Sequence, residues 1–275
     1  MQGEASRIAD RISRDSMASR LREAGEDAWR IGNELFTVTA LLDNNRAVTV
    51  ALTDPSRPVT DKIALLNTLV EAQAHPLTVG ILGDLVGRTW SRSKDISNAV
   101  EDFGVDAMMY YADHTNTTLQ VSVELAQLHS ALIKMPAVRA KLYDAQASAE
   151  ARVALLDAVL SNSGFCKVTM RLAEHATANL RGRRYLGTVQ WLINKLSRHM
   201  GESMITVTTA SPLTAEQIQK LTDSYSRKMG RPVHINSVVD ASVIGGMRIQ
   251  VGDEVTDTTV VAQLRHLKSA INASA

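Results

Sequence analysis

A single cysteine, Cys166, is all the thiol in a chain of 275 residues. That excludes an internal disulfide framework and points to a reducing compartment. Aromatic residues are scarce too, with three Phe, three Trp and five Tyr making up 4% of the chain. The core must come from Leu, Val, Ile, Ala and Met, within an apolar share of 45%, which favours packed helices over a sandwich. Neither sign of charge dominates: 30 basic residues face 29 acidic ones for a net charge of +1. Such a balance supplies no broad field for nucleic acid or an anionic membrane surface, and neither is expected as a partner. Long hydrophobic runs are also missing. Ile63–Val70 and Leu77–Leu82 fall well short of the roughly 18 to 20 apolar residues of a membrane span, so no direct membrane insertion is expected. The first 30 residues hold six Arg and six acids without an apolar block, unlike a secretory or import leader. A soluble, cytosolic chain is expected, meeting a membrane only through another polypeptide.

Catalytic patterns are wanting as well. No Gly-x-x-x-x-Gly-Lys-Ser/Thr phosphate loop occurs; Gly80, Gly83 and Gly87 lie close together without a Lys, as suits helix ends and close packing. The histidines at 75, 114, 129, 175, 199, 234 and 266 are scattered, and none joins Cys166 at metal-ligand spacing. Cys166 reads as a packed thiol rather than a nucleophile. Arg181-Gly182-Arg183-Arg184 is the densest basic cluster. It has the chemistry to hold a phosphate or an acidic helix end, although a solvated turn hinged at the glycine accounts for it more simply. No cofactor and no metal are expected.

What is present is helical periodicity over the first 200 residues. Leu21, Ala24, Ala28, Ile31, Leu35, Val38 and Leu42 recur three and four apart, as one continuous stripe. Gly25 and Gly32 interrupt it at about 1 kcal/mol each relative to Ala, which a close helix crossing would justify. Asp54-Pro55-Ser56-Arg57-Pro58 is the clearest break. The chain then repeats itself. Displaced by 90 residues, 34–70 falls on 124–160 without a gap, matching Glu34 to Glu124, Leu35 to Leu125, Leu42 to Leu132, Leu52 to Leu142, Asp54 to Asp144 and Leu66 to Leu156. Lys62 falls on Arg152, and the same offset carries Leu82 to Leu172, Ile96 to Leu186 and Phe103 to Ile193. Two similar helical bundles in tandem are inferred, meeting near 104–118.

Beyond residue 200 the period changes. Ser203 to Thr209 alternates and is β-branched, a strand. Thr214 with Gln217 forms a capping box opening a helix to about Met229, stopped by Gly230. Val233, Ile235 and Val238 suggest a second strand, and Met247, Ile249 and Val251 a third, followed by a Gly252-Asp253 turn. Asp257 is placed to cap a last helix bearing Val260, Val261, Leu264 and Leu267. The fold class is thus α+β, mostly α: tandem helical bundles, then a small C-terminal α/β domain. The expected domains are 1–104, 105–200 and 201–275.

The segment Val239-Asp240-Ala241-Ser242-Val243-Ile244-Gly245-Gly246-Met247-Arg248-Ile249-Gln250-Val251-Gly252-Asp253 has no obvious role in such a fold. It resembles the C-terminal signature of the δ subunits of F-type ATP synthases, relatives of the oligomycin-sensitivity-conferring protein. That signature runs apolar-Asp, an apolar pair, Gly-Gly, alternating apolar residues and Gly-Asp. Asp257-Thr258-Thr259 and Ala210-Ser211-Pro212-Leu213-Thr214 are similar to two further family patterns. Ala241 replaces a usual Pro, and Thr twice replaces Ser, a modest change where hydroxyls cap helices. The resemblance spans 105–275; residues 1–104 are extra and resemble the elongated δ subunits of actinobacteria.

The resemblance implies a non-catalytic stator subunit. Such a subunit caps the catalytic head, binds the N-terminal helices of an α subunit through its helical bundle, and holds the membrane-anchored b subunit through its C-terminal module. It would lie peripherally at the cytoplasmic face of the cell membrane, coupling proton flow to ATP synthesis. Met108, Tyr111, Arg183, Tyr185, Val243 and Leu264 are the expected partner-interface positions, chosen as exposed. Two other readings stand beside it. A cytosolic helical adaptor unrelated to ATP synthase would leave the C-terminal signature unexplained. An enzyme handling phosphoryl or acyl groups with Arg181, Arg183 and the Gly245-Gly246 turn would have to turn over substrate alone.

Overall fold

A computed structural model describes residues 3–70, 74–201, 203–230, 232–251, 254–260 and 262–263. The chain divides into two compact units, Met1–Thr117 and Thr118–Ala275. The expected boundary at 104/105 therefore falls inside a continuous helix.

The first unit is helical: α1 (Glu4–Arg22), α2 (Asp27–Asn44), α3 (Arg46–Thr53), α4 (Val59–Leu69), α5 (Pro76–Val86) and α6 (Ser93–His114). Its core gathers Leu21, Leu35, Leu52, Ile81, Leu85 and Phe103. The stripe from Leu21 to Leu42 is not continuous, because the chain leaves helix between α1 and α2 with Gly25 at φ +56°, a left-handed conformation that glycine adopts freely. Leu21, Ala28, Ile31, Leu35 and Leu42 are buried, so the stripe is core and not a groove. Gly32 does serve a close crossing. A Cβ there would meet Met108 Cε at 2.7 Å, and one on Gly104 would meet Phe36 Cε1 at 2.7 Å, so α2 and α6 approach through both glycines.

The second unit opens on α7 (Thr118–Lys134), α8 (Pro136–Leu142), α9 (Ala149–Leu160), α10 (Lys167–Ala178) and α11 (Tyr185–Met200). The internal repeat is visible element by element. Helices α2, α3 and α4 recur as α7, α8 and α9 at the expected displacement. Burial recurs with them, at Ile31 and Val121, Leu35 and Leu125, Leu42 and Leu132, Leu52 and Leu142, and Leu66 and Leu156. Between α5 and α10 the displacement is 91, one residue having entered the loop before α10. Buried Ile81 thus answers to Leu172 and Leu82 to Ala173, correcting the expected match of Leu82 with Leu172.

The chain then forms β1 (Ser203–Thr209), α12 (Ala215–Met229), β2 (Val233–Val239), β3 (Met247–Val251) and β4 (Glu254–Asp257). The sheet order is β2-β1-β3-β4, with β1 parallel to β2 and antiparallel to β3, and β3 antiparallel to β4. Ile205, Val207, Val233 and Ile249 form its core under Leu221, Tyr225 and Met229. The capping box on α12 is present in both directions, and Gly230 ends the helix at φ +65°. The fourth strand was missed from the sequence because it is short and exposed along its length, so it carries no alternation. It also claims Asp257, expected as a helix cap. Thr259 takes that role, its Oγ1 accepting from the Ala262 N–H at 3.3 Å. Gly252, Asp253, Val261, Leu264 and Leu267 lie outside the described residues.

Candidate docking surfaces

The helices of each unit are tied by a matching carboxylate, half-buried at Glu34 and buried at Glu124. Glu34 accepts from the backbone N–H of His75 at 3.0 Å and from the Thr78 hydroxyl at 2.5 Å. Glu124 repeats this with the Cys166 N–H at 3.0 Å and Thr169 at 2.5 Å. His75 and Cys166 are the N-cap residues of α5 and α10, so the carboxylates satisfy helix-end N–H groups that have no partner within the helix. Cys166 is half-buried, with its Sγ 3.3 Å from Thr169 Oγ1. Asp54 and Asp144 repeat too, accepting from the N–H two residues on, Ser56 and Gln146, each at 2.9 Å. In unit one a charge cluster adds to this. The Arg14 guanidinium contacts Asp10 at 3.0 Å, Asp102 at 3.3 Å and Asp106. Burial disfavours its charge, but Asp106, Asp102 and Asp10 outweigh that and hold its pKa above the usual arginine value.

Four of the six expected interface positions fail the exposure they were chosen for. Met108 and Tyr111 are buried on α6, Tyr185 is buried at the start of α11, and Val243 is buried within the loop after β2. Met108 is held where α2 and α6 close on each other at Gly32. Tyr111 stacks with Trp29, ring centroids 5.4 Å apart. Tyr185 bonds Thr177 Oγ1 at 3.0 Å and Ala173 O at 3.3 Å, and burial pushes its phenol up to about 12. Arg183 is half-buried over the Trp191 ring, 5.1 Å from its centroid, in the turn from α10 to α11 where Arg181 (φ +50°) and Gly182 (φ +70°) reverse the chain. That turn is the hinge expected of the basic cluster. Leu264 lies outside the described residues.

The exposed apolar side chains lie elsewhere. On the helical part of unit two they are Leu119, Ile133, Met135 and Tyr143; on the C-terminal module they are Val239, Ile244, Val255 and Val260. Ile244, at 75% relative exposure, stands out furthest. It precedes the glycine pair, and the pair has a structural reason. A Cβ on Gly246 would sit 2.5 Å from Thr258 O, while the Val260 N–H reaches Gly245 O at 3.2 Å. The signature thus lets the segment after β4 cross close behind the strand. Asp240 turns the chain ahead of it. Ser242 donates to its Oδ1 from the hydroxyl at 2.7 Å and from the N–H at 3.0 Å, which holds the carboxyl below the usual range. Lys134 at the end of α7 bonds Val239 O at 2.9 Å and approaches Asp240 at 3.6 Å, fastening the module to the helices of the same unit. Sequence reasoning missed Ile244 as a surface residue because its apolar neighbour Val243 goes inward; a turn has no period from which to tell them apart.

Among the described residues, no cluster of His, Cys, Asp and Glu has the arrangement to hold a metal ion, and no helix is long and apolar enough to cross a membrane. What the geometry offers is apolar and charged surface on helices, beside a sheet whose strand order among the described residues ends at β4. This is the makeup of a docking scaffold.

A family model described as ATP synthase delta (OSCP) subunit matches residues 105–271. The chain is 69% identical to an ATP synthase subunit delta of Bifidobacterium adolescentis, over the whole of both chains. It is 67% identical to one of Bifidobacterium longum, over 100% of this chain and 99% of that protein. A more distant relative of the same name, from Beutenbergia cavernae, is 32% identical over 90% of this chain and 91% of that protein. The chain belongs to the ATP synthase delta (OSCP) subunit family. In that family the subunit is a structural component of the synthase, not a catalytic one, and a peripheral part of a membrane-bound complex. Nothing in these comparisons supports an adaptor unrelated to ATP synthase. The family model leaves out most of unit one, yet the relatives match through it.

Proposed function

We propose that the chain is the stator tie of a proton-translocating ATP synthase, gripping the catalytic head with residues 105–200 and the b subunit with residues 201–275. The head is bound through the N-terminal helices of α subunits, on the cytoplasmic face of the membrane. The observation that carries this reading is the span of the family match. It covers the second helical unit and the α/β module as one block, and that block presents exposed apolar residues both on its helices and on its sheet module. A tie of this kind must dissociate slowly. Nanomolar affinity corresponds to about −12 kcal/mol, which apolar helix contacts supply better than exposed ion pairs of about 0–1 kcal/mol each. The reading is tested by placing a photo-crosslinking amino acid at Leu119 or at Ile244 of the full chain in the assembled enzyme. Cross-links from Leu119 to α and from Ile244 to b are expected; b captured at Leu119 would overturn the division of labour.

A further inference from the structure

Between α8 and the start of α11 lies a cleft of about 410 Å³, lined by Pro136, Arg139, Ala140, Tyr143, Arg184 and Leu186 with Tyr185 beside them. Its walls are apolar and its rim is basic. None of the lining residues is acidic, and across 135–144 and 180–186 five basic residues (Arg139, Lys141, Arg181, Arg183, Arg184) face one acid, Asp144. Asp144 is occupied in its own turn, accepting from the Gln146 N–H. Arg139 has spare donors. Its Nη1 reaches Leu132 O only at 3.5 Å, at the limit of a hydrogen bond. Arg184 is exposed and makes no side-chain cap bond at the head of α11. Tyr143 is exposed at the mouth, and exposed Met135 adjoins the Pro136 end.

The repeat shows that the fold does not demand this chemistry. In unit one the positions of Arg139 and Tyr143 are Thr49 and Thr53. Thr49 is buried with its hydroxyl on Leu42 O at 2.7 Å, and Thr53 bonds Thr49 O at 2.8 Å. Unit one thus has threonines bonded to the backbone of α2 and α3 at these positions, whereas unit two has an arginine and a tyrosine lining an apolar cleft.

We infer that the cleft between α8 and α11 docks an acidic amphipathic helix of a partner subunit. Apolar side chains of the ligand enter between Tyr143 and Leu186, and its carboxylates meet Arg139 and Arg184. The planar guanidinium fork suits carboxylates in pairs, and an amphipathic helix supplies apolar anchors flanked by charge at three- and four-residue spacing. The inference rests on the reading that residues 105–200 are the head-binding part, and it names the site and the ligand chemistry there.

The test uses the full-length chain and a dye-labelled 18-residue synthetic helix with Leu on one face and Glu along its flanks, followed by fluorescence anisotropy. A second peptide carries Lys in place of every Glu. The Glu peptide should bind, and R139E/R184E should weaken it on the order of tenfold or more, since like charges then face each other across the interface. The Lys peptide should bind the double variant better than the parent. Tyr143→Ala should weaken the Glu peptide without changing its salt dependence. Arg184 and Tyr143 are exposed and Arg139 is half-buried with a single 3.5 Å bond, so the variants should keep the parent's circular dichroism and melting temperature; a variant that does not is replaced by R139Q/R184Q, with a smaller loss in the same direction. Equal binding of both peptides, or binding indifferent to the arginine substitutions, would overturn the inference. If the peptides fail while Leu119 still cross-links to α, the cleft alone is wrong. If they behave as expected but Leu119 captures b, the assignment of the partner is wrong and the cleft stands.

Discussion

In the first helical unit the end of α5 is closed by the chain that follows it: the Trp90 indole donates to Leu85 O at 2.9 Å. In the second, the end of α10 is closed from across the bundle. The buried Arg152 guanidinium donates to Thr177 O at 3.1 Å and Ala178 O at 3.0 Å, and also reaches Asp144 O at 3.1 Å and Ala147 O. The repeat places Lys62, also buried, where Arg152 stands. A lysine is a compact point charge; a guanidinium is a rigid fork with five donors. The two units share their apolar layer and their carboxylate tie, and differ in how the far helix ends are fastened and how closely helices cross. Gly32 lets α2 and α6 close up in unit one, and its counterpart in unit two is buried Ser122. What the repeat keeps is the buried leucine layer and the carboxylate tie, whose polar contacts are costly to lose; what it varies is the fastening of the helix ends and the tightness of the crossings.

The largest effects should be common to both units. Leu35→Ala and Leu125→Ala each remove a fully buried side chain at matching positions, and each should cost about 2–5 kcal/mol. Urea unfolding measures both, and a cost under about 1 kcal/mol at only one of them would break the equivalence. Next comes a difference between the units. Gly104→Ala forces a methyl against the Phe36 ring and should destabilise by about 1–3 kcal/mol. A Gly104→Ala protein as stable as the parent in the same titration would show that the close crossing is not needed.

Arg152→Lys makes unit two resemble unit one at that position. It should cost about 1–3 kcal/mol, because a single ammonium cannot reach all four carbonyls. Lys62→Arg, with Leu85 O already bonded to Trp90, should bring no comparable gain; thermal melts of both variants decide this. The smallest effect is electrostatic. Burial disfavours the Glu34 charge, but Thr78, the His75 N–H and Arg30 together outweigh it and hold the carboxyl below its usual value. A depressed carboxylate stabilises the fold above its unfolded pKa of about 4.3, and this is lost as pH falls through the lower folded value. Glu34→Gln should therefore flatten the acid side of the stability–pH curve below about pH 4.5 and leave its neutral-pH shape unchanged. An acid limb as steep as the parent's would contradict the tie.

Much of this architecture is legible in the residues. The repeat from Glu34 to Val70 shows itself because buried Leu positions cannot drift, and Glu34 and Asp54 recur because each holds backbone N–H groups. The capping box at Thr214 and Gln217 is local chemistry, readable within four residues. Three features were not legible. The break at Gly25 looked like a tolerated helical glycine, since a left-handed φ leaves no mark on apolar spacing. The strand β4 has no buried face to print a period. Exposure in a mostly helical chain is set by which neighbour covers a side chain: Met108 and Tyr111 are covered from Gly32 and Trp29, far away in sequence, and Tyr185 is covered by the preceding helix through Thr177 and Ala173, none of which apolar spacing alone reveals. The cleft between α8 and α11 was half visible, as a basic cluster at 181–184 without sight of Arg139 and Tyr143 across from it.

Coupling measures the central claim most directly. In membrane vesicles stripped of this subunit, the full chain should restore ATP-driven proton uptake while the ATP hydrolysis rate of the detached head, assayed with and without the chain, stays the same. Proton pumping that does not return on adding the chain, or a detached head whose hydrolysis depends on it, would contradict a part that restrains rather than reacts.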